Sequence, residues 1–339
     1  MICRSGHPAR TLTGLLGAVV LLVATSGCGL LGGSGAAPGA AAHGAPEKPK
    51  IKIGLLPIVD VASVHIAIEK GYFREEGIEV EPVIVQGGAA AIPALIAGDL
   101  DVTFGNWVSF FAAQAKDAAK SADGLKLIAD GYQAKPGMFM ILGKADSGIR
   151  SPRDLEGRTI ALNTFNNIAE LTAKATLEGN DVDLKSVTFK EMPMPDMEAA
   201  IESGAVDAGF MSEPFITRAQ RNAGQIPYLD AASGPTDGIP IAGYGTTGAF
   251  ARQNPNTVAA FQRAMLKGQR DAADHATVQA LLVDYAKVDR DTATLVHFGE
   301  YPTSLDLSRL QRVSNLMRTY GLLQNDFDVK PMLVSGPTG

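Results

Sequence analysis

The sequence predicts an α/β fold of two lobes built on one plan, and two observations support this prediction. Residues 94–104 align without gaps on residues 200–210, with the shared pattern A-[LI]-x-x-G-x-[LV]-D-[AV]-x-F. In each copy the Ala and the Leu or Ile end a helix, the Gly permits a left-handed turn, and the Asp begins a short buried strand. Strand and helix patterns also alternate from residue 50 onward. Two copies are too few for a solenoid and indicate two facing lobes.

The first lobe begins where the apolar pattern begins. Residues 50–57 alternate and then become fully apolar, which predicts a strand, and a loop at 58–63 leads into a helix ending at 69–73. The elements predicted next are a strand at 78–85, a helix at 89–97, a strand at 101–105, a helix beginning at 106–107 and a strand at 125–130.

The second lobe follows a strand at 138–142 that carries the chain out of the first. Ser151 and Pro152 are typical of a helix start. The further elements are strands at 159–162, 187–190 and 207–211, helices at 167–177, 196–203 and 214–222, and returning strands at 239–246 and 249–251. Helices from residue 254 onward are expected to pack on the first lobe. We therefore assign 50–138 and 245–325 to lobe 1, 139–244 to lobe 2, and 326–339 to a loose tail.

Residues 1–27 are predicted to be an export signal. Arg4 and Arg10 precede an apolar stretch at 12–23 that is too short to span a bilayer comfortably. The small residues before Cys28 resemble a bacterial lipobox, although Thr25 stands where Leu is usual, so an ordinary secreted protein is the alternative. We expect lipidation of Cys28, a flexible Gly/Ala/Pro-rich tether over 28–49, and a location at the outer face of the cytoplasmic membrane.

The composition excludes several classes of function. The formal net charge is −6 and no basic run is present, which argues against a nucleic-acid partner. The two cysteines are Cys3 and Cys28, so the mature domain has no thiol for catalysis and no disulfide. The five histidines lack metal-ligand spacing, and the H-E-x-x-H and G-x-S-x-G signatures do not occur. We expect no metal, no cofactor and no enzymatic activity.

Residues 70–80, KGYFREEGIEV, resemble the GYF-x-x-EG-[IL]-x-V segment of solute-binding proteins of ABC importers. The branch indicated is the one for nitrate, sulfonates, taurine and thiamine-precursor pyrimidines. The repeat copies and the S-P-x-D-L-x-G-x-x-I stretch at 151–160 fall in that family's order and spacing. The resemblance implies a type II periplasmic-binding-protein-like fold, with two Rossmann-like lobes joined by hinge strands near 138–142 and 239–246. It further implies that the protein closes on a small solute and delivers it to permease and ATPase subunits. We expect a monomer, because one-to-one delivery needs no more than one copy.

Candidate ligand-binding residues follow the ends of the predicted strands, because ligands of open α/β sheets bind outside the carboxyl ends of the strands. They are Asp60, Ser63, Gly87, Gly88, Asn106 and Trp107 in lobe 1, Thr164, Asn166, Asn167 and Glu213 in lobe 2, and Tyr244 near a hinge strand. Several of them have a structural alternative. The glycine pair suits a turn or an anion contact, and the Asn and Thr residues of 163–167 suit a helix cap or a pocket wall. Trp107 suits the core or ligand stacking, and Glu213 suits a helix start or a contact with an amine or aminopyrimidine.

The charges of these loops favour one kind of solute. Asp60 and Glu213 are present without any Lys or Arg, so we expect a ligand with a cationic or hydrogen-bond-donating portion, such as an amine, an amidine or an aminopyrimidine. Two alternatives to transport stay open. One is an enzyme of the same fold, either a pyrimidine synthase, whose Cys-rich motif is missing here, or a chorismate-type dehydratase. The other is a ligand sensor that takes no part in transport.

Overall fold

The computed structural model of the protein describes residues 44–336. The predicted signal segment, the lipidation site Cys28, most of the tether and the last three residues lie outside the described residues. Within the described part, no helix is long and apolar enough to cross a membrane.

Ten strands of the described chain form two five-stranded sheets. The strands are β1 (Lys50–Leu55), β2 (Glu79–Ile84), β3 (Val102–Asn106), β4 (Leu125–Gln133), β5 (Phe139–Gly143), β6 (Thr159–Leu162), β7 (Thr188–Glu191), β8 (Ala208–Ser212), β9 (Ile226–Asp230) and β10 (Pro240–Thr247). The order of the first sheet is β2-β1-β3-β10-β4, and that of the second is β7-β6-β8-β5-β9. In each sheet the fourth strand runs antiparallel to both neighbours. The two sheets therefore share one plan, and the predicted two-lobed α/β fold is confirmed.

Helices flank both sheets. They are α1 (Ala62–Glu69), α2 (Tyr72–Glu75), α3 (Gly88–Ala97), α4 (Trp107–Ala115), α5 (Ile168–Gly179), α6 (Met194–Glu202), α7 (Phe215–Ala223), α8 (Gly248–Gln253), α9 (Pro255–Asp271), α10 (His275–Tyr285), α11 (Arg290–Leu295) and α12 (Leu307–Thr319). The two repeat copies occupy equivalent places, α3 to β3 and α6 to β8. Gly98 and Gly204 take φ values of 83° and 75° at the two turns, as the pattern predicted.

The chain crosses between the sheets through residues 134–138 and 231–239. All of β10 pairs with β3 and β4 of the first sheet, so the lobe boundary lies before this strand and not at residue 244. The strand predicted at 249–251 is wrong, because the Thr247 hydroxyl accepts a hydrogen bond from the Phe250 backbone and starts α8 there. Strand β9, a partly exposed edge strand, was not predicted.

The helices after residue 254 pack mainly on lobe 1, as predicted, since α9 and α10 contact α1, and α12 contacts α4. Helix α11 instead contacts α7 of lobe 2, where Arg221 Nη1 lies 2.8 Å from Asp289 Oδ1. Both predicted ends of the folded region need correction. Glu47, assigned to the tether, accepts hydrogen bonds from the first turn of α9. Val329 and Met332, assigned to a loose tail, are buried against the core.

Candidate functional site

A small cavity lies between the lobes where the strands of both sheets end. Its volume is about 40 Å³, enough for roughly one or two water molecules. We call it the inner chamber. Its polar and glycine lining is Asp60, Gly87, Gly88, Gly105, Asn106, Asn163, Asn167 and Ser212, and its apolar lining is Leu56, Ile58, Phe104, Phe139, Ile168, Ala169, Met194, Phe210, Ile241 and Ala242.

The structure brings five of the eleven candidate ligand-binding residues together in this chamber. They are Asp60, Gly87, Gly88, Asn106 and Asn167. Two further polar lining residues, Asn163 and Ser212, directly follow or end a strand of lobe 2, which is where the strand-end rule places ligand contacts. The apolar members carry no signal of this kind in the sequence.

Asn106 links the two lobes through its side-chain oxygen. As the cap of α4 it accepts hydrogen bonds from the backbone N and the Oγ of Ser109, at 2.9 and 3.0 Å. The same oxygen accepts from the backbone N of Ile168, the first residue of α5 in lobe 2, at 3.2 Å. Asn106 is therefore both the cap of α4 and a contact that holds the lobes together.

The Asn and Thr residues at the start of α5 mainly bond to one another. Asn167 caps α5 by accepting from the backbone N of Glu170, and its Nδ2 donates to Asn163 Oδ1 and Thr164 Oγ1 at 2.7 and 2.8 Å. Thr164 is buried beside Gly87 but does not line the chamber. Asn166 is exposed, and its backbone oxygen accepts from Ser109 Oγ across the cleft at 3.2 Å.

Gly87 and Gly88 allow two close approaches at the start of α3. A Cβ on Gly88 would lie 2.9 Å from the Cα of Gly105, and a Cβ on Gly87 would lie 3.4 Å from Thr164 and Asn163 of the opposite lobe. No side chain caps α3. The N–H groups of its first turn thus give the chamber a partial positive charge.

Asp60 is the ionisable residue of the inner chamber lining. It lies in a single 3-10 turn at Val59–Val61, is 2% exposed, and its Oδ1 makes no hydrogen bond within the described chain. Burial raises the pKa of its carboxyl to about 7. No Lys, Arg or His of residues 44–336 lines the chamber.

The side chain of Glu213 is buried outside the chamber and forms hydrogen bonds with other residues of the protein. Its carboxylate accepts hydrogen bonds from the Thr217 backbone and hydroxyl, in the first turn of α7, and from the backbone and ring of His297. The bond to Glu213 raises the pKa of the His297 ring. The Glu213 backbone oxygen also accepts from Val59 N of lobe 1 at 3.2 Å. This geometry matches the helix-start alternative and not a ligand contact.

Ser63, Trp107 and Tyr244 are fully buried and lie outside the chamber lining. The indole of Trp107 packs on β10, where a Cβ on Gly243 would overlap it at 2.2 Å. The ring of Tyr244 packs edge-on against Phe104 and Phe261. For these residues the structure favours a place in the core.

A second cavity of about 190 Å³ adjoins the inner chamber and shares Leu56, Ile58 and Met194 with it. We call it the outer chamber. Its remaining lining is Pro57, Ile84, Val85, Gln86, Pro193, Pro195 and Phe215. The wall is almost entirely apolar, and Ile84 is 67% exposed, so this chamber borders solvent. Among the described residues, no three His, Cys, Asp or Glu side chains are grouped to hold a metal.

Solved structures with the same architecture are plentiful. The alkanesulfonate-binding protein SsuA from Xanthomonas axonopodis pv. citri, bound to MOPS, superposes with a TM-score of 0.72 at 17% identity, covering 85% of this chain and 99% of that one. The periplasmic nitrate-binding protein NrtA from Synechocystis PCC 6803 gives 0.68 at 14%, covering 85% and 86%. The desulfurization enzyme DSZB gives 0.62 at 16%, covering 85% and 96%. At these identities the likeness establishes the periplasmic-binding-protein fold.

No curated protein sequence matches the chain. The sequence profile described as "NMT1/THI5 like" matches residues 59–277, which is more than half of the chain and includes all lining residues of the inner chamber except Leu56 and Ile58. The match agrees with the resemblance found in the GYF segment and the two repeat copies. The protein therefore belongs to the NMT1/THI5-like family.

Proposed function

We propose that the protein is the solute-binding component of an ABC importer, exported and anchored by a lipidated Cys28. It captures a small polar organic solute between its lobes and presents it to the permease and ATPase subunits. The observation that carries this proposal is the inner chamber, whose lining comes from strand ends of both sheets. Family membership and the likeness to sulfonate- and nitrate-binding proteins support it.

Hinge opening is the step that this geometry requires. The inner chamber holds only about 40 Å³, and both lobes supply its wall, so a solute enters when the lobes separate. The hydrogen bonds that cross between the lobes near the chamber include Ile168 N to Asn106 Oδ1, Ser109 Oγ to Asn166 O, and Val59 N to Glu213 O, each 3.2 Å. Two chain crossings, at residues 134–138 and 231–239, supply the hinge.

The chamber suits the solute classes of the family in two different ways. The uncapped first turn of α3 offers N–H donors to a sulfonate or nitrate group. The Asp60 carboxylate offers an acceptor to the amine of taurine or of an aminopyrimidine. The enzyme alternative finds one parallel in the fold of DSZB, but no described feature of the chamber favours catalysis over binding.

Calorimetry and uptake measurements test the proposal together. The purified protein is titrated with taurine, alkanesulfonates, nitrate and aminopyrimidines, and small-angle scattering measures the radius of gyration with and without the solute that binds. We expect tight one-to-one binding of one class, a compact bound state, and loss of uptake of that solute in cells that lack the gene. Normal uptake in those cells would contradict transport and favour a sensor, and steady turnover of any compound would favour an enzyme.

A further inference from the structure

The carboxylate of Asp60 has an unusual environment for a buried charge. A buried ionised group is normally paired with a cation or bonded to several donors, because its removal from water is costly. Asp60 is 2% exposed, forms none of the ion pairs of the described chain, and its Oδ1 makes no hydrogen bond there. The residue nevertheless lines the inner chamber, where a solute can reach it.

The groups around Asp60 do not neutralise it. The hydroxyl of Tyr285 donates to the backbone oxygen of Ile58 at 3.1 Å, and that of Tyr301 donates to Val59 O at 2.8 Å. Tyr132 accepts from Gly299 N at 2.7 Å. The bonds from Tyr285 and Tyr301 hold the segment that carries Asp60, and Oδ1 of the Asp60 carboxylate is left without a donor.

The nearby histidine and the opposite lobe supply no positive charge either. His65 stacks on Tyr285 with ring centroids 3.9 Å apart, and burial lowers its pKa to about 4, so it is neutral at pH 7. The polar side chains of lobe 2 that line the chamber are the neutral Asn163, Asn167 and Ser212. Glu213, whose backbone oxygen accepts from Val59 N, is bonded to His297 and offers Asp60 no positive charge.

The adjoining outer chamber indicates the shape of the rest of the solute. Its apolar wall comes from both lobes, so closing the lobes would enclose an apolar group between Pro57 and Ile84 on one side and Met194 and Phe215 on the other. Because the two chambers share Leu56, Ile58 and Met194, a solute can place a polar group in one and an apolar part in the other.

We propose that Asp60 is the specificity-determining residue of the site and selects a solute with a protonated amine or amidine group in the inner chamber and an apolar portion in the outer chamber. This inference rests on the proposed solute-binding function and names its ligand class. A solute whose only charge is negative would meet the α3 N-terminus but would also lie against a buried carboxylate of the same sign. A cationic group instead gives Asp60 the partner that the protein does not supply.

Titration with compounds that differ only in their polar group tests this inference. The purified protein is titrated by calorimetry at pH 8 in phosphate buffer with hexylamine, hexan-1-ol and hexane-1-sulfonate. Methylamine is titrated as well, to measure how much the hexyl group contributes to the affinity. We expect hexylamine to bind at least about tenfold more tightly than either other hexyl compound, and methylamine to bind at least about tenfold more weakly than hexylamine.

Two variants test whether the carboxylate of Asp60 causes the preference for the amine. Asp60→Asn, which keeps the side-chain shape, should weaken hexylamine binding by roughly 100-fold or more. Asp130→Asn removes a carboxylate that is also 2% exposed but lines neither chamber, and it should leave the affinity unchanged. The comparison of the three hexyl compounds uses the wild-type protein alone, so it tests the preference for an amine even if Asp60→Asn is poorly produced.

The outcomes separate this inference from the function on which it rests. Tighter binding of the sulfonate than of the amine, or equal affinities of Asp60→Asn and wild type for hexylamine, would overturn the role of Asp60 and leave solute binding intact. Failure of every hexyl compound to bind would also overturn the ligand class. The proposed function itself would fall with normal uptake in cells that lack the gene, or with steady turnover of any compound.

Discussion

Replacing Asp60 by asparagine should make the free protein more stable, and the size of the effect follows from the burial of the carboxylate. Burial raises the pKa of Asp60 from 3.8 to about 7. A difference of one unit between the folded and unfolded pKa corresponds to about 1.36 kcal/mol. The ionised carboxylate therefore lowers the free energy of unfolding by up to about 4 kcal/mol. Asparagine has nearly the same shape and has no charge to bury.

The effect has a definite dependence on pH. The folded pKa of Asp60 lies above the unfolded value. Below pH 3.8 the carboxyl is protonated in both states, so its burial costs no stability. The free energy of unfolding then falls as the pH rises through about 7. The free energy of unfolding of Asp60→Asn should therefore exceed that of wild type by about 4 kcal/mol at pH 8. At pH 5 the difference should be below about 2 kcal/mol.

Urea unfolding followed by circular dichroism at both pH values measures the difference, without added solute. The control is Asp99→Asn, which removes an exposed carboxylate of the same chain and should change stability by less than about 0.5 kcal/mol at either pH. Equal stability of Asp60→Asn and wild type at pH 8 would refute the claim that Asp60 is buried as an unpaired charge. A gain that is the same at pH 5 and pH 8 would refute its electrostatic origin.

Three further predictions concern other parts of the molecule. Asn106→Ala removes the α4 cap and one contact between the lobes, so it should cost about 1–2 kcal/mol in urea unfolding and increase the radius of gyration measured by scattering. Gly88→Ala places a Cβ 2.9 Å from the Gly105 Cα and should cost roughly 1–3 kcal/mol in the same unfolding assay. Cys28→Ser should abolish incorporation of labelled palmitate and release the protein from the membrane fraction, whereas unchanged fractionation would contradict lipid anchoring.

Most of the fold could be predicted from the sequence, because helix ends, turns and buried strands depend on residues that are close together in the chain. Gly98 and Gly204 end helices in a left-handed turn, and each turn leads into the third strand of its sheet. Most strands and helices lie within a few residues of their predicted positions. The exceptions depend on single contacts, such as the Thr247 cap that makes 248–253 a helix, or on packing from distant segments, as for Val329 in the predicted tail.

The candidate site could be predicted only in part, since a strand end identifies the edge of a sheet but not the direction of a side chain. Asp60, Asn106 and Asn167 reach the chamber, whereas Trp107, the residue after Asn106, turns into the core. Glu213 meets His297, a residue far along the chain, and is thereby held outside the chamber.

The sequence by itself determined two α/β lobes with polar residues at the facing ends of their strands, because helix caps, turns and buried strands depend on neighbouring residues. Only the tertiary structure decided which polar atoms bond to the protein and which are left for a solute. Packing between distant segments pairs Glu213 with His297, leaves Oδ1 of Asp60 without a partner, and places an apolar chamber beside it. No local pattern contains that information.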